Sequence, residues 1–154
     1  MKLKKFLEEH NIEAVLISSK YSLRYFTGFT GTTGIALAFA EKRFFFTDFR
    51  YVTQAKKEVE PNGFTVVKVE RGAVDALAEY IKNSGIKKLG IEDKYVTLAE
   101  YVVYKEKFEG IGFVTLGEAL DKLRMIKTEE EIGYIKKAVE IGDGILASKV
   151  KGYD

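Results

Sequence analysis

Two apolar runs decide the fold: Ile35-Ala-Leu-Ala-Phe39 and Arg43-Phe-Phe-Phe-Thr47, separated only by Ala40-Glu-Lys42. Short runs joined by such a connection predict an antiparallel hairpin. Four further short runs on either side predict strands, residues 13–17, 64–69, 88–91 and 111–115, and the runs 13–17 and 88–91 are interpreted as buried strands. Six strands interleaved with helices predict an α/β sandwich, and the hairpin makes its sheet mixed.

Helical patterns fill the stretches between the predicted strands. Ser18 and Ser19 are candidate caps for a brief helix, and Asp48 is expected to cap the helix that starts at Phe49. Turn residues at positions 61–63 and 84–85 end two of the helices. The predicted helices cover residues 2–10, 21–26, 49–59, 74–83, 98–107, 118–123 and 128–150.

The last predicted helix has the clearest start signal in the chain. Thr128 and Glu131 have the spacing of a capping box, and Glu129 and Glu130 complement the helix dipole. Apolar residues then recur at steps of three and four over about half the circumference, which is more than one neighbour would cover. We therefore expect a partner for this helix from the preceding residues, another chain or sequence that this chain lacks.

Composition narrows the classes of function. The chain has 154 residues, no Cys, one His and a net charge of +2 at pH 7. Thiol catalysis, thiolate metal sites and disulfides are excluded, and no large basic surface for nucleic acid is expected. The sequence contains neither a signal-like start nor a long apolar run, so we expect a cytoplasmic protein without a membrane segment. Abundant Lys and Glu fit a heat-adapted source.

Few residues are candidates for catalysis. The one histidine, His10, lies at the end of a predicted surface helix, where a cationic ring stabilises the helix dipole. No G-x-S-x-G motif is present, so hydrolysis through a nucleophilic serine is not expected. Zinc sites built from His and Cys are excluded by count.

The spacing Gly28-x-x-Gly31-x-x-Gly34 resembles a phosphate-binding loop only superficially. It lacks the G-K-[ST] ending and leads from a loop into a strand instead of a helix. Tight turns and close backbone approach explain the glycines more simply. The remaining interpretation is a binding loop, because Thr30, Thr32 and Thr33 place hydroxyls beside backbone amides.

Acidic residues follow two predicted strands. Asp48 comes after the second hairpin strand, and Glu92 and Asp93 come after the strand that ends at Ile91. Such acids could hold Mg²⁺ for phosphoryl transfer, as in ribonuclease-H-like nucleases. The alternative is that Asp48 caps a helix and that Glu92 and Asp93 lie in a solvated turn.

Aromatic residues are concentrated in one part of the chain. Of its nine Tyr and eleven Phe, half fall between residues 21 and 51. Core packing is expected to use about half of these, since alternation along strands sends some inward. An exposed remainder would form an interaction surface with Arg50 and Tyr51 as polar anchors.

Taken together, several segments resemble the N-terminal domain of the creatinase, prolidase and aminopeptidase P family. They are Tyr21-Ser-Leu-Arg-Tyr-Phe-Thr-Gly-Phe29, the Gly-Thr-Thr-Gly loop, Phe46-Thr-Asp-Phe-Arg-Tyr51 and Leu123-Arg-Met-Ile-Lys-Thr-Glu-Glu-Glu-Ile132. The resemblance implies a three-layer αβα sandwich with a six-stranded mixed sheet of ribonuclease-H-like topology. It assigns residues 1–126 to this domain and residues 127–154 to a connector helix toward a catalytic domain.

The resemblance also implies what the chain does not do. Full-length members hold two divalent metal ions with two Asp, one His and two Glu of a C-terminal "pita-bread" domain, and they cleave Xaa-Pro bonds in proline-containing peptides. Those positions are missing here, and His10 cannot replace the ligand. We therefore expect a domain without catalytic residues, cofactor or metal of its own.

In this family the N-terminal domain supports dimer formation and extends a loop toward the neighbouring subunit's active site. The implied role is oligomerisation and substrate gating, with a homodimer or the missing catalytic domain as partner. The alternatives are a small Mg²⁺-dependent nuclease or phosphotransferase and a stand-alone dimerisation module. The candidate gating residues are Phe29, Thr30, Gly31, Thr32, Thr33, Asp48, Arg50 and Tyr51.

Overall fold

The computed structural model describes residues 3–70 and 72–150, without the side chain of residue 150. The chain divides after Leu120 into two compact units. The first contains the whole sheet and the second contains the long final helix.

The sheet has six strands in the order β4-β3-β2-β1-β5-β6. The hairpin strands pair antiparallel, and β2 also pairs antiparallel with β1. The pairs β1·β5, β3·β4 and β5·β6 are parallel. The predicted mixed six-stranded sheet is therefore confirmed, with strands β1 Ala14–Ile17, β2 Ile35–Phe39, β3 Arg43–Thr47, β4 Thr65–Lys68, β5 Lys88–Ile91 and β6 Gly112–Thr115.

Seven α-helices lie in the described residues, close to where the sequence predicts them. A 3₁₀ turn, Glu60–Asn62, follows the third helix. The helices are α1 Leu3–Glu9, α2 Lys20–Thr27, α3 Val52–Val59, α4 Ala73–Ser84, α5 Leu98–Lys107, α6 Ala119–Met125 and α7 Glu129–Val150.

Side chains alternate across the sheet and are buried on both faces, as expected for a strand set covered by helices on each side. On one face Leu16 and Leu37 belong to a core that includes Leu77 of α4 and Tyr104 of α5. On the other face the fully buried Phe45 contacts the loop after α2. Helices α2 and α3 lie against β2 and β3 there, so the first unit is a three-layer αβα sandwich.

Asp48 does not cap α3, which corrects the sequence prediction. The helix begins at Val52 with Tyr51 before it and without a side-chain cap. The Asp48 carboxylate instead accepts the backbone N–H of Arg50 at 2.9 Å, and the Asp48 carbonyl accepts the N–H of Tyr51 at 3.1 Å. An Asp side chain that bonds two residues ahead forms an Asx turn, and this turn occupies the first residues of the expected helix.

The predicted capping box of α7 is confirmed. Thr128 Oγ1 accepts the Glu131 N–H at 3.2 Å, and the Glu131 carboxylate accepts the Thr128 N–H at 2.8 Å. Many large apolar side chains of α7 are exposed: Ile135, Val139, Ile141, Ile145 and Leu146. Among the described residues, no helix has the length and apolar character needed to cross a membrane.

Candidate functional site

The segment of residues 28–34 connects α2 to β2, and we call it the glycine loop. Helix α2 starts with Ser19, whose hydroxyl accepts the Ser22 N–H, and it ends at Gly28 in the left-handed conformation. Asn62, in the 3₁₀ turn after α3, donates to the carbonyl oxygens of Thr27 (3.0 Å) and Glu58 (2.9 Å). The start of the loop is thereby tied to the end of α3.

One side of the glycine loop is part of the core. Phe29 is 3% exposed, and its ring centroid lies 4.6 Å from that of Phe45 and 5.8 Å from that of Tyr51. Gly31 lies against the Phe29 and Tyr51 rings, and Gly34 lies against Phe45, so close that a Cβ at either position would overlap the rings. Close approach of the backbone to aromatic rings therefore explains both glycines, and a phosphate-binding loop is not needed.

The other side of the loop is held by polar groups of α3. Thr30 donates its backbone N–H to Glu58 Oε2 and its hydroxyl to Glu58 Oε1, both at 2.8 Å. Gln54 Nε2 donates to Thr30 Oγ1 at 2.9 Å and to Glu58 Oε1 at 3.1 Å. The hydrogen bonds from Thr30 lower the pKa of the Glu58 carboxyl. The loop is thus bound to an ionised side chain at ordinary pH.

Two further hydrogen bonds hold the second half of the loop. Thr32 Oγ1 and the Tyr51 hydroxyl are 2.7 Å apart. The buried Thr47 at the end of β3 donates its hydroxyl to the Thr33 carbonyl at 2.6 Å. Thr30, Thr32 and Thr33 are nevertheless exposed, so the loop presents three threonines on an anchored backbone.

The Asx turn after β3 extends this surface. Arg50 donates to both carboxylate oxygens of Asp48, at 3.1 and 2.7 Å, and its guanidinium lies 5.6 Å from the centroid of the Tyr51 ring. The hydrogen bond from Arg50 lowers the pKa of Asp48 and raises that of Arg50. Because Tyr51 also contacts Thr32, the turn and the glycine loop form one continuous site.

An open cleft lies beside the turn. Residues of the Asx turn and of the end of β4 line it, and Lys68 and Glu70 form an ion pair there with an N–O distance of 3.4 Å. Phe49 also lines the cleft and is 75% exposed. The cleft is lined by Asp48, Phe49, Arg50, Lys68, Val69 and Glu70.

The structure brings all eight candidate gating residues into this one region, but their surroundings differ. Phe29 and Gly31 are packing residues, because the first is buried and the second lies under two rings. The side chains with substantial exposure are those of Thr30, Thr32, Thr33 and Arg50. Their role in gating stays a prediction.

Sequence reasoning missed Glu58, the residue that binds Thr30. A signal was present: Tyr51, Gln54 and Glu58 are spaced by three and four, which places them on one face of α3. What the sequence did not reveal is that the glycine loop, about 25 residues earlier, lies beside that face.

The three acids proposed as Mg²⁺ ligands are separate. Asp48 follows β3 and Glu92 follows β5, three strands away, which is about 14 Å at the usual strand spacing. Glu92 is 3% exposed and accepts hydrogen bonds from the backbone of Ser18 and Ser19, while Asp93 accepts the Gly117 N–H at 2.7 Å. The geometry does not support the nuclease alternative.

Residues 3–70 and 72–150 contain no group of three or more His, Asp or Glu side chains arranged to hold a metal ion. They therefore do not fit the two divalent ions that the resemblance implies for full-length members. His10 lies at the end of α1, where its Nδ1 is 2.9 Å from the Phe6 carbonyl oxygen and its ring centroid is 4.3 Å from that of Phe6, with the two rings tilted by 31°.

Most aromatic residues between positions 21 and 51 are in or near the core. Phe44 and Phe46 contact the ring of Tyr80 at centroid distances of 4.7 and 5.1 Å. Three of the ten are exposed, Tyr21, Tyr25 and Phe49. The expected aromatic interaction surface is therefore smaller than the sequence suggests.

Comparison with known proteins gives one consistent family. The family model described as the creatinase/prolidase N-terminal domain matches residues 1–126. A curated relative from Bacillus subtilis, the uncharacterized peptidase YqhT, is 36% identical over 142 residues. That match covers 92% of this chain but 40% of the relative, so the chain spans about two fifths of the relative's length.

Solved structures of related proteins have the same fold. The Xaa-Pro dipeptidase from Bacillus anthracis superimposes with a TM-score of 0.88 and 34% identity, covering 97% of this chain and 41% of that one. The N-terminal domain of the cytoplasmic peptidase PepQ from Mycobacterium tuberculosis has a TM-score of 0.71 and 30% identity, covering 79% of this chain and 95% of that one. The predicted αβα sandwich of ribonuclease-H-like topology is thus confirmed.

Proposed function

Because this chain belongs to the creatinase/prolidase N-terminal domain family, we propose that it is the non-catalytic oligomerisation and substrate-gating domain of an Xaa-Pro dipeptidase or aminopeptidase P-type metallopeptidase. Residues 1–126 form the domain, and residues 127–154 are a connector helix toward a catalytic domain. The peptide substrates contain proline, the metal ions belong to the catalytic domain, and the location is cytoplasmic.

One observation carries the gating role. The glycine loop is held by hydrogen bonds to α3 and β3 and by the buried ring of Phe29, yet Thr30, Thr32 and Thr33 remain exposed. A loop that selects among peptides needs this combination, since side chains placed on an ordered backbone discriminate by shape at a low entropic cost. A loop with these exposed side chains but without anchors would lose that advantage.

The exposed apolar side chains of α7 support the oligomerisation role. Ile135, Val139 and Leu146 recur at steps of four and seven and are all exposed in the described chain. An apolar surface of this kind on a soluble helix marks an interaction site. The proposed occupant is the catalytic domain or a second copy of the chain.

A hydrolysis assay tests the absence of catalysis. The purified chain is incubated with an Xaa-Pro dipeptide and a longer Xaa-Pro peptide in the presence of Mn²⁺, Co²⁺ or Zn²⁺, and its mass in solution is measured in parallel. We expect no turnover, because the described residues contain no metal-ligand cluster. Turnover that a chelator abolishes would overturn the proposal, and the mass separates a dimer from a monomer.

A chimeric enzyme tests the gating role directly. Residues 1–154 replace the matching segment of the Bacillus anthracis Xaa-Pro dipeptidase, to which they are 34% identical. We expect the double variant Thr32→Ala, Thr33→Ala to change the ratio of kcat/KM between a dipeptide and a tripeptide by about three- to tenfold, because one or two side-chain contacts are removed.

The matched control is Thr115→Ala, which removes an exposed threonine at the far edge of the sheet. It should leave that ratio unchanged. Equal ratios for the loop double variant and the unmodified chimera would refute gating by these threonines. A stable dimer of the isolated chain, together with unchanged ratios, would favour the stand-alone dimerisation module instead.

A further inference from the structure

We propose that Glu58 is the positioning residue of the glycine loop: its carboxylate holds the backbone N–H and the hydroxyl of Thr30 and so sets the conformation in which the loop presents its threonines. This inference rests on the proposed function, since the loop's conformation matters for peptide selection. It adds to the candidate gating residues one that is not itself in the loop.

The geometry is that of a two-point clamp. Each carboxylate oxygen of Glu58 accepts one hydrogen bond from Thr30, at 2.8 Å in both cases. A backbone amide and a side-chain hydroxyl of one residue, bound by the two oxygens of one carboxylate, fix both the position and the orientation of that residue. Gln54 reinforces the clamp because its amide nitrogen donates to both partners.

Glu58 differs in kind from the loop's other anchors. Phe29 is held by packing, and Thr32 and Thr33 by hydrogen bonds between neutral groups. Hydrogen bonds to an ionised acceptor are about twice as strong as neutral ones. Glu58 is thus the charged side chain that, within the described part of the chain, binds the loop, and it does so at the exposed Thr30.

The electrostatic surroundings agree with an ionised Glu58. The hydrogen bonds from Thr30 are the largest cause of its lowered pKa, and Arg24 of α2 is the charged group that adds to them from a neighbouring element. On α3 itself the side chain that faces Glu58 is the neutral Gln54. Acidification through the pKa of Glu58 should therefore release the clamp.

The test is amide hydrogen exchange and proton NMR on the 154-residue chain. In Glu58→Ala, and to a smaller extent in Glu58→Gln, exchange of the Thr30 amide should become about ten- to a hundredfold faster, because the carboxylate that accepts its N–H is lost. Amides of β1 should exchange at unchanged rates. Glu58→Gln keeps the size of the side chain and decides the outcome if Glu58→Ala does not fold.

An acid titration gives an independent readout. The pKa of Glu58 lies below its ordinary value of 4.5, so the clamp is intact above that pH and is lost as the pH falls through the lowered pKa. The Thr30 amide proton should shift with a midpoint below 4.5 in the unmodified chain. The shift should be missing in Glu58→Gln, because a glutamine does not titrate.

The matched control is Glu60→Gln. Glu60 is exposed and follows the end of α3, so the variant removes the same charge two residues away. In Glu60→Gln, exchange of the Thr30 amide should stay as slow as in the unmodified chain, and the Thr30 amide proton should still shift as the pH falls. Unchanged exchange in both Glu58 variants, or a Thr30 transition that persists in Glu58→Gln, would overturn the inference.

These readouts need neither peptide nor partner. If the Glu58 variants leave amide exchange unchanged while the threonine variants still alter the kcat/KM ratio of the chimera, gating stands and the role of Glu58 is refuted. If the Glu58 variants speed amide exchange but the threonine variants leave the kcat/KM ratio unchanged, Glu58 orders the loop and the loop does not gate.

Discussion

Gly34 and Phe45 illustrate how single residues shape the site. The Phe45 ring is fully buried and lies so close to Gly34 that its Cε atoms would be 3.0 Å from an added Cβ. A ring enclosed in the core has no room to move away. The glycine at the end of the loop is therefore required by a side chain eleven residues later, on the neighbouring strand of the hairpin.

Replacing Gly34 with alanine should destabilise the fold. Overpacking of a close-packed site typically costs about 1–3 kcal/mol, so we expect a loss of that size in the free energy of unfolding, measured by urea denaturation. The control is Gly133→Ala in α7, where an added Cβ meets nothing within 4 Å and alanine is the better helix former. Equal midpoints for Gly34→Ala and the unmodified chain would contradict this account.

Tyr104 should make the stability depend on alkaline pH. It is 3% exposed, and burial raises its pKa to about 12 from 10.0. A phenol that resists ionisation only in the folded state stabilises the fold fully below pH 10, and this contribution is lost as the pH rises to 12. Between those values we expect the unmodified chain to lose about 3 kcal/mol more than Tyr104→Phe does.

The comparison is made by urea denaturation at pH 9, 10, 11 and 12, because other tyrosines and lysines titrate in both proteins and cancel in the difference. Parallel losses in the two proteins would show that Tyr104 ionises freely.

At the scale of elements, the links between them depend on a few buried polar side chains. Glu92 follows β5, and its carboxylate accepts the N–H groups of Ser18 and Ser19 at 2.7 and 2.9 Å and the Ser19 hydroxyl at 3.0 Å. Ser19 in turn caps α2. The end of one strand thereby fixes the start of the helix that leads into the glycine loop.

Glu92→Gln should weaken this link. The amide of glutamine has one acceptor oxygen in place of the two carboxylate oxygens that accept these three hydrogen bonds. Leaving a buried donor unsatisfied costs about 1–3 kcal/mol. We expect a loss of that order in the free energy of unfolding. Glu79→Gln, at an exposed position of α4, is the control and should have no measurable effect. Similar values for the two variants would mean that the buried hydrogen bonds contribute little.

At the scale of the whole chain, the core is complete before the final helix. Every buried apolar residue among those described lies between Leu3 and Leu120, and the exposed apolar side chains of α7 include Ile135, Val139, Ile141, Ile145 and Leu146. The stability of the first unit should therefore come from its own sheet and helices. The relative from Mycobacterium tuberculosis, whose structure is that of an N-terminal domain, supports this view.

A chain ending at residue 126 should fold cooperatively. We expect its free energy of unfolding to stay within about 1 kcal/mol of that of the full chain, since no buried core side chain is removed. Thermal unfolding followed by circular dichroism measures this, and the NMR shifts of the glycine loop serve as the control for local structure. A truncated chain that is unfolded or loses its cooperative transition would contradict a self-contained core.

Most of the fold could be predicted because it depends on local patterns. Strands β2, β3 and β5 and helix α5 begin and end at the predicted residues, since short apolar runs and capping signals are set by neighbours in sequence. The start of α3 could not be predicted in this way. Asp48 favours both a helix cap and an Asx turn, and the guanidinium of Arg50, which also lies over Tyr51, favours the turn.

The sequence by itself determined the order of strands and helices, the αβα class, the capped final helix and the family, because periodicity, capping and motif spacing are local properties of the chain. Only the tertiary structure decided which groups meet. It separated Asp48 from Glu92 by three strand spacings, buried Phe29 against Phe45 and brought Glu58 to Thr30. Contacts between residues far apart in sequence depend on how strands pair and helices pack, and no local pattern encodes those distances.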